Sequence, residues 1–271
     1  MGAKDAPDLR KTHLSGERGG GMVRDQIFQA TAARAADFEF NQEVAEVFDD
    51  MLVRSIPLYL EQQCLIKDIV RKFRIDGTDF YDLGCSTGTT LLSVVHEIAQ
   101  PCRLIGYDSS VPMLDQAKLK IQKQGLESRI ELRYADLNGD LDRIELRNAG
   151  VVTMCWTLQF IRPLKRERLI RWVYNGLVEN GVFILLEKVL TNNSHMNRFF
   201  VEFYYDFKRR NSYSSGEIQR KREALENVLI PYRIDENLEM LRKSGFEIVE
   251  MFFQWCNFGG FLCMKAPARR S

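Results

Sequence analysis

The chain has 271 residues, of which 45% are hydrophobic and 28% are charged. These values are ordinary for a globular protein, so they exclude disorder over most of the length. Lys and Arg number 38 against 37 Asp and Glu, and such a balance lacks the basic excess of proteins that grip nucleic-acid phosphates. We therefore expect no direct binding to nucleic acid. No apolar run approaches the roughly 20 residues that span a bilayer, so we also expect no membrane association.

The start of the chain differs in composition from the rest. Residues 1–21 are rich in Gly and charge and contain no hydrophobic stretch, which is not the pattern of a secretory signal. We interpret them as a disordered leader. Residues 22–271 are expected to form one α/β domain.

The cysteines are scattered, with no Cys-x-x-Cys pair and no His at ligand spacing. This pattern indicates reduced thiols in a cytoplasmic protein, and it predicts no metal site. The six are Cys64, Cys85, Cys102, Cys155, Cys256 and Cys263.

Two helical segments lie outside the regular strand pattern. Gln42–Leu52 has apolar residues at helical spacing, with Asn41 placed to cap it. Ser194–Asn227 is a helical insertion, and Ser214 and Glu217 have the spacing of a capping box. Both segments could cover a ligand site or complete the core, and the two roles are compatible.

From Asp79 onward, short apolar runs alternate with amphipathic stretches, as in a parallel sheet flanked by helices. The expected strands are Asp79–Leu83, Arg103–Asp108, Arg129–Ala135, Val151–Trp156, Val182–Lys188, Phe246–Trp255 and Phe261–Met264. The expected helices are Thr87–Ile98, Pro112–Gln124, Leu164–Leu177 and Asp235–Lys243. Glu179-Asn180-Gly181 reads as a turn before the fifth strand, and the last two strands as an antiparallel pair at the sheet edge.

A glycine turn follows the first strand, where Asp82-Leu83-Gly84-Cys85-Ser86-Thr87-Gly88 leads into a helix. Glycine allows a sharp turn and close approach of a ligand, and the helix start presents free N–H groups. The Gly-x-Ser-x-Gly spacing differs from the Gly-x-Gly-x-x-Gly of dinucleotide cradles. Alone, it could equally be a structural turn.

Two acids lie at the ends of the next two strands: Asp108 ends the second expected strand, and Asp136 comes directly after the third. Asp108 could accept both hydroxyls of a ribose, although it could also cap the following helix. Asp136 could accept from an adenine amino group or be a solvated loop acid. An acid-Leu-Gly-Cys-x-x-Gly turn followed by these acids resembles the class I S-adenosylmethionine-dependent methyltransferase fold. The resemblance implies a mostly parallel seven-stranded sheet with helices on both faces, an N-terminal helical segment and a helical insertion after strand 5.

Further stretches resemble a narrower family, the carboxy-S-adenosyl-L-methionine synthases. The match runs in register from about Val23 to Lys265. The stretches are Val44-Ala45-Glu46-Val47-Phe48, Arg54-Ser55-Ile56-Pro57, Tyr81 to Ser86, Thr157-Leu158-Gln159-Phe160, Asp206-Phe207-Lys208-Arg209, Lys221-Arg222, Leu225-Glu226-Asn227-Val228 and Cys256-Asn257-Phe258-Gly259.

The resemblance implies a cytoplasmic homodimer that uses S-adenosylmethionine and prephenate. Prephenate loses carbon dioxide and hydroxide to give phenylpyruvate, and the deprotonated sulfonium methyl captures the carbon dioxide. The product, carboxy-S-adenosylmethionine, serves modification of wobble uridine in tRNA. The implied adenosyl-binding residues are Tyr59, Gly84, Cys85, Ser86, Asp108, Ser109, Asp136, Leu137, Cys155 and Arg222.

Arg222 is the implied catalytic residue, because a guanidinium can hold the added carboxylate with two hydrogen bonds. From spacing alone, Glu217 with Lys221 and Arg222 with Glu226 are i,i+4 pairs of an ordinary solvated helix face. Lys208 and Arg209 are candidates for binding prephenate.

Two positions depart from the family pattern, which has Asn where this chain has Ser109 and Cys155. Ser109 can still hydrogen-bond, whereas the Cys155 thiol is only a weak donor. This difference leaves two alternatives open: a small-molecule methyltransferase, or a non-catalytic module that binds an adenosyl ligand. Amine methylation is disfavoured because Cys155-Trp156-Thr157-Leu158 lacks an Asn/Asp-Pro-Pro-aromatic turn.

Overall fold

The computed structural model describes residues 23–29 and 37–267. The predicted leader, residues 1–21, lies outside the described residues. The strands are β1 (Asp79–Leu83), β2 (Leu104–Asp108), β3 (Ile130–Tyr134), β4 (Ala149–Cys155), β5 (Leu177–Leu190), β6 (Tyr232–Arg233), β7 (Ile248–Trp255) and β8 (Phe258–Met264). The helices are α1 (Gln42–Ser55), α2 (Tyr59–Phe73), α3 (Thr89–Val94), α4 (Val111–Lys123), α5 (Pro163–Gly176), α6 (Ser194–Arg210), α7 (Ser215–Leu225) and α8 (Ile234–Lys243).

The sheet has the order β3-β2-β1-β4-β5-β8-β7, and the two-residue β6 pairs with β5. The first five strands are parallel, and β8 runs antiparallel to both β5 and β7. The predicted α/β fold is therefore confirmed. The strand count is eight rather than seven, because β6 is too short to leave a periodic pattern in the sequence.

Both faces of the sheet are covered by helices, because successive strand residues point to opposite sides. Phe80 packs in a cluster with Ile66 of α2 and Leu91 of α3. Its neighbour Tyr81 packs in another cluster with Leu169 of α5 and Leu241 of α8. This burial on two sides explains why β1 is buried at all five positions.

Several boundaries differ from the sequence expectation. Helix α2 is not among the predicted elements, although its apolar positions fall on one buried face. Helix α3 ends at Val94 and is shorter than predicted. The predicted turn Glu179-Asn180-Gly181 falls inside β5, where the register with β4 shifts. A positive φ of 61° at Asn180 absorbs that irregularity.

The two helical segments predicted outside the strand–helix alternation are present, as α1 and as the pair α6 and α7. Asn41 caps α1 by accepting a hydrogen bond from the Val44 N–H at 3.1 Å. Ser214 and Glu217 form the predicted capping box of α7. None of the described helices is long and apolar enough to span a membrane.

Arg54, at the end of α1, fixes the insertion against the rest of the fold. Its guanidinium donates to the carbonyls of Asn211 and Ser212 in the α6–α7 turn, at 2.9 and 3.0 Å. It also donates to the Asp25 carbonyl and the Asp50 carboxylate, both at 3.1 Å. The insertion is therefore held in place by main-chain contacts at its turn.

Candidate functional site

An open cavity lies at the carboxyl ends of β1 to β4. Phe48 and Met51 of α1, Tyr204 of α6 and Lys221 of α7 line its other side. This is where parallel α/β sheets bind ligands. Nine of the ten predicted adenosyl-binding residues line it, namely Tyr59, Gly84, Cys85, Ser86, Asp108, Ser109, Asp136, Leu137 and Cys155.

The turn at Gly84 has no room for a side chain. Its φ of 80° lies in the left-handed region, and an added Cβ would overlap the Thr157 side chain. The N–H groups of Gly84 and Cys85 donate to the Tyr107 carbonyl at 2.8 and 2.9 Å. These bonds join the turn to β2, so that the β1 and β2 ends face one cavity.

Asp108 is held between two loops. One carboxylate oxygen accepts the Ser86 N–H at 2.8 Å, and the other accepts the Ser110 N–H at 2.8 Å. The helix cap of α4 is the Ser110 hydroxyl, which accepts from Met113. Burial raises the Asp108 pKa, and the backbone N–H groups oppose that shift. Each oxygen keeps a further lone pair with which to accept a ligand hydroxyl.

Asp136 and Leu137 follow β3 at the cavity rim. The Asp136 carboxylate accepts the Asn138 N–H at 2.8 Å and is exposed, while Leu137 is buried in the core. An exposed acid beside a buried apolar side chain suits the edge and face of a purine base.

Asp82 is an acid of the site that sequence reasoning did not include among the binding residues. It is buried, lines the cavity and accepts from the Thr153 hydroxyl at 2.8 Å. Burial raises the pKa of its carboxyl to about 7, against the lowering effect of the Thr153 bond. Its place in the quoted motif, at the end of a buried strand, was the available signal. We call Asp82, Asp108 and Asp136 the acid edge.

Tyr59 and Cys155 lie close to the acid edge. Burial, followed by the neighbouring Asp49, raises the Tyr59 pKa, and burial raises the Cys155 pKa well above its usual value. Both side chains are therefore neutral at physiological pH. Cys155 contributes a small apolar surface at the position where the family pattern has an amide.

Arg222 does not reach the cavity of its own chain. It is exposed on α7, whereas its neighbour Lys221 is buried and lines the cavity. Glu217 is also buried and caps α7 through the Ser214 N–H, at 2.7 Å. The reading of Glu217 and Lys221 as a solvated pair is therefore wrong, because that face of α7 packs inward.

Lys208 of α6 is buried too, while Arg209 is exposed and pairs with Asp206. Of the histidines, His96 and His195 are exposed and do not line the cavity, and His13 lies outside the described residues. Within residues 23–29 and 37–267, no group of three His, Cys, Asp or Glu could hold a metal ion.

Comparison with solved structures agrees with the fold. A methyltransferase domain model matches residues 80–181. An O-methyltransferase family protein from Burkholderia thailandensis superposes with a TM-score of 0.63 at 15% identity, covering 85% of this chain and 62% of that one. Human N-acetylserotonin methyltransferase in complex with S-adenosylmethionine gives 0.56 at 14% identity, covering 83% and 56%. At these identities the likeness shows the fold alone.

Curated relatives decide the family. The carboxy-S-adenosyl-L-methionine synthase of Methylococcus capsulatus is 46% identical over 245 residues, which is 90% of this chain and 100% of that protein. The chain belongs to the carboxy-S-adenosyl-L-methionine synthase family. A synthase of the same name from Nitratiruptor is 42% identical over 244 residues, covering 90% and 99%. The resemblance inferred from the motifs is thereby confirmed.

Proposed function

We propose that the protein makes carboxy-S-adenosylmethionine from S-adenosylmethionine and prephenate, and that the product serves wobble-uridine modification of tRNA. The observation that carries the proposal is one cavity lined both by acids and by the lysines Lys188 and Lys221. The acids suit a nucleoside and a cationic amino acid, while the lysines suit an anionic second substrate.

The acid edge accounts for the adenosyl half of the chemistry. Asp108, with a free lone pair on each oxygen, accepts the ribose hydroxyls. Asp136 accepts from the base, against Leu137. Asp82, ionised when a cation lies beside it, holds the amino group of the methionine part. Gly84 keeps the backbone close enough for these contacts.

The reaction balances without a protein base. The bond from the prephenate ring to its carboxylate breaks, and the electron pair moves through the ring and expels hydroxide. The ring becomes aromatic, which gives phenylpyruvate. The hydroxide takes a proton from the sulfonium methyl to form water, and the methyl carbon attacks the released carbon dioxide. Exposure of His96 and His195 away from the cavity fits a reaction that generates its own base.

We further propose that the working form is a cytoplasmic homodimer in which Arg222 binds the new carboxylate across the subunit interface. The support is its position: it is exposed on α7, one residue from the cavity-lining Lys221. A guanidinium outside its own cavity can serve the cavity of a second copy.

The test is a mass measurement of the nucleoside formed from S-adenosylmethionine with and without prephenate. We expect a species heavier by one carbon dioxide only when prephenate is present. Formation of S-adenosylhomocysteine, the demethylated product, together with a methylated acceptor would instead indicate a methyltransferase. No turnover, with S-adenosylmethionine bound, would indicate a binding module.

Arg222→Ala tests the role of that residue. It should weaken binding of the carboxylated nucleoside by ~10–100-fold relative to S-adenosylmethionine, because a bidentate charged contact is lost. Arg210→Ala, which removes an exposed guanidinium at the end of α6, is the matched control. Equal weakening of both nucleosides by Arg222→Ala would contradict the role.

A further inference from the structure

Three lysines from separate elements meet around two tyrosine rings. The Lys188 and Lys208 ammonium groups each lie 4.9 Å from the centre of the Tyr204 ring. Those of Lys208 and Lys221 lie 5.8 and 5.7 Å from the centre of the Tyr213 ring. We call Lys188 of β5, Lys208 of α6 and Lys221 of α7 the lysine cluster.

Lys208 and Lys221 are buried and Lys188 is half-buried, and none of the three has a carboxylate partner among the described residues. Lys208 is 5% exposed and Lys221 6% exposed. Within the described ranges, no carboxylate oxygen lies within 4.0 Å of any of the three ammonium groups. Lys221 donates to the Ser55 hydroxyl at 3.2 Å. Burying cations in this way is costly unless an anion compensates them.

The neighbouring charges leave the cluster positive. Asp25 attracts Lys208 and Lys221, but its carboxylate already accepts the Tyr213 hydroxyl at 2.6 Å. Arg54 adds another cation, 4.1 Å from the centre of the Tyr213 ring. Burial lowers the pKa of Lys188 and of Lys221 to about 8, and burial with the two neighbouring lysines lowers that of Lys208 well below its usual value.

An aromatic wall stands beside the cluster. Trp156, Tyr204 and Phe258 line the cavity, and the Phe258 ring centre is 5.5 Å from that of Trp156 and 5.0 Å from that of Tyr204. The Trp156 indole N–H is buried and has no partner among residues 23–29 and 37–267. Such a wall accepts a ring, and its N–H can donate to a further polar group.

The placement of the cations bears on which carboxylate they hold. A carboxylate that leaves as carbon dioxide loses its charge in the transition state, so a bound cation would stabilise the substrate more than the transition state. A carboxylate that stays keeps its charge throughout. Lysines therefore assist the reaction when they hold the carboxylate that remains.

We propose that Lys188 and Lys221 bind the carboxylate that the dianionic second substrate retains, while its ring and departing carboxylate lie against Trp156 and Phe258. Lys208, which is buried behind Tyr204 and Tyr213 and does not line the cavity, is a positioning residue that raises the positive potential. This assignment rests on the proposed function, and it names the site of the second substrate within the cavity.

The experiment compares Lys188→Met, Lys208→Met and Lys221→Met with Lys123→Met, which removes an exposed lysine of α4. The probe is phenylpyruvate, which carries only the retained carboxylate, titrated calorimetrically into protein saturated with S-adenosylmethionine. Lys188→Met and Lys221→Met should each weaken phenylpyruvate ~10–100-fold and raise the KM for prephenate similarly. Binding of S-adenosylmethionine should change less than twofold.

Lys208→Met separates positioning from contact. It should raise the KM for prephenate ~3–10-fold with kcat unchanged, and Lys208→Arg should restore most of the loss because the charge returns. Lys208→Met and Lys221→Met each remove a buried charge, and thermal unfolding should show that every variant is folded.

The outcomes distinguish this assignment from the proposed function. Unchanged phenylpyruvate binding in Lys188→Met and Lys221→Met, with intact turnover, would overturn the site and leave the function standing. Lysine-dependent phenylpyruvate binding to a wild-type protein that does not turn over prephenate would support the site and overturn the function.

Discussion

The acid edge and two lysines of the lysine cluster, Lys188 and Lys221, line one cavity, and the two groups are built in different ways. Asp82 and Asp108 lie at the ends of β1 and β2, Asp136 follows β3, and hydrogen bonds from backbone N–H groups join the β1 and β2 ends. The lysines come from β5, α6 and α7, and their ammonium groups meet only through tertiary packing. The acid edge is thus a property of local sequence, and the lysine cluster is a property of the assembled fold.

The largest effect is expected at the turn that supports the acid edge. Gly84→Ala should lose ~3–4 kcal/mol of stability, from a left-handed Ala and overlap with Thr157. It should also abolish measurable S-adenosylmethionine binding. Gly77→Ala is the control, since Gly77 has a φ of 78° but no atom within 4 Å of an added Cβ. It should cost only about 1–2 kcal/mol.

Denaturant unfolding and calorimetric titration measure both quantities. Similar losses in the two variants would mean that the backbone angle alone, and not the approach of Thr157, requires glycine. In that case, the close packing of Thr157 on the turn would not be what supports the acid edge.

Asp108→Asn should weaken S-adenosylmethionine by ~30–100-fold, because a charged acceptor for two hydroxyls becomes a neutral one with a single acceptor oxygen. Asp136→Asn, at the exposed rim, should cost no more than about fivefold. Phenylpyruvate binding should be unchanged in both, in contrast to the lysine variants. Loss of phenylpyruvate binding in Asp108→Asn would show that the acids and the lysines do not act independently.

An acid and a lysine of the cavity should also change the stability of the protein with pH in opposite directions. The folded pKa of Asp82 is raised to about 7, so Asp82 lowers stability as pH rises from about 4 to 7. Asp82→Asn should therefore be more stable than wild type by ~4 kcal/mol at pH 8. That difference should vanish near pH 4.

Lys221 has the reverse signature. Its folded pKa is lowered to about 8. Between pH 8 and about 10.5 the folded protein has lost this proton while the unfolded chain still holds it, so stability should rise with pH over that range. Lys221→Met should be more stable than wild type by ~3 kcal/mol at pH 7, a difference that shrinks at high pH. Urea unfolding at several pH values measures the stability differences of Asp82→Asn and Lys221→Met from wild type. The groups facing Lys221 are Ser55, Asp25, Arg54, Lys188, Lys208 and Tyr213. A stability difference that does not change with pH would contradict the lowered pKa of Lys221.

The smallest effect is expected at Cys155. Cys155→Asn restores the amide of the family pattern and should raise S-adenosylmethionine affinity by ~2–5-fold, since one neutral hydrogen bond is gained. Cys155→Ala should leave affinity within twofold. Weaker binding by Cys155→Asn would mean that the residues around the thiol leave no room for the larger amide.

Much of the fold follows from sequence because its signals are local. Strand β1 is bounded as predicted, and the caps at Asn41 and Ser214 lie where their side chains suggest. Helix α2 was missed, and no cap side chain marks its start, since Leu58 takes a left-handed conformation there without a capping hydrogen bond.

The candidate site also has a part that local sequence predicts and a part that depends on tertiary packing. Of the acid edge, the sequence predicted Asp108 and Asp136 but not Asp82, and the prediction of Gly84 and Asp108 needs only a strand, a turn and a helix. On α7, helical spacing could not tell whether Lys221 or Arg222 faces inward, because charged residues occupy both sides. The packing of Tyr213 and Ser55 against α7 decides it, and those residues are distant in sequence.

The position of β8 bears on how the chain is made. It comes after every other described strand, yet it lies between β5 and β7 within the sheet. On the ribosome, one side of β5 therefore waits unpaired until the final strand emerges, exposing an edge that invites contact with other nascent chains. Because Phe258 begins that strand and Lys188 lies on β5, a chain released early would lack one wall of the cavity even with its acidic loops complete.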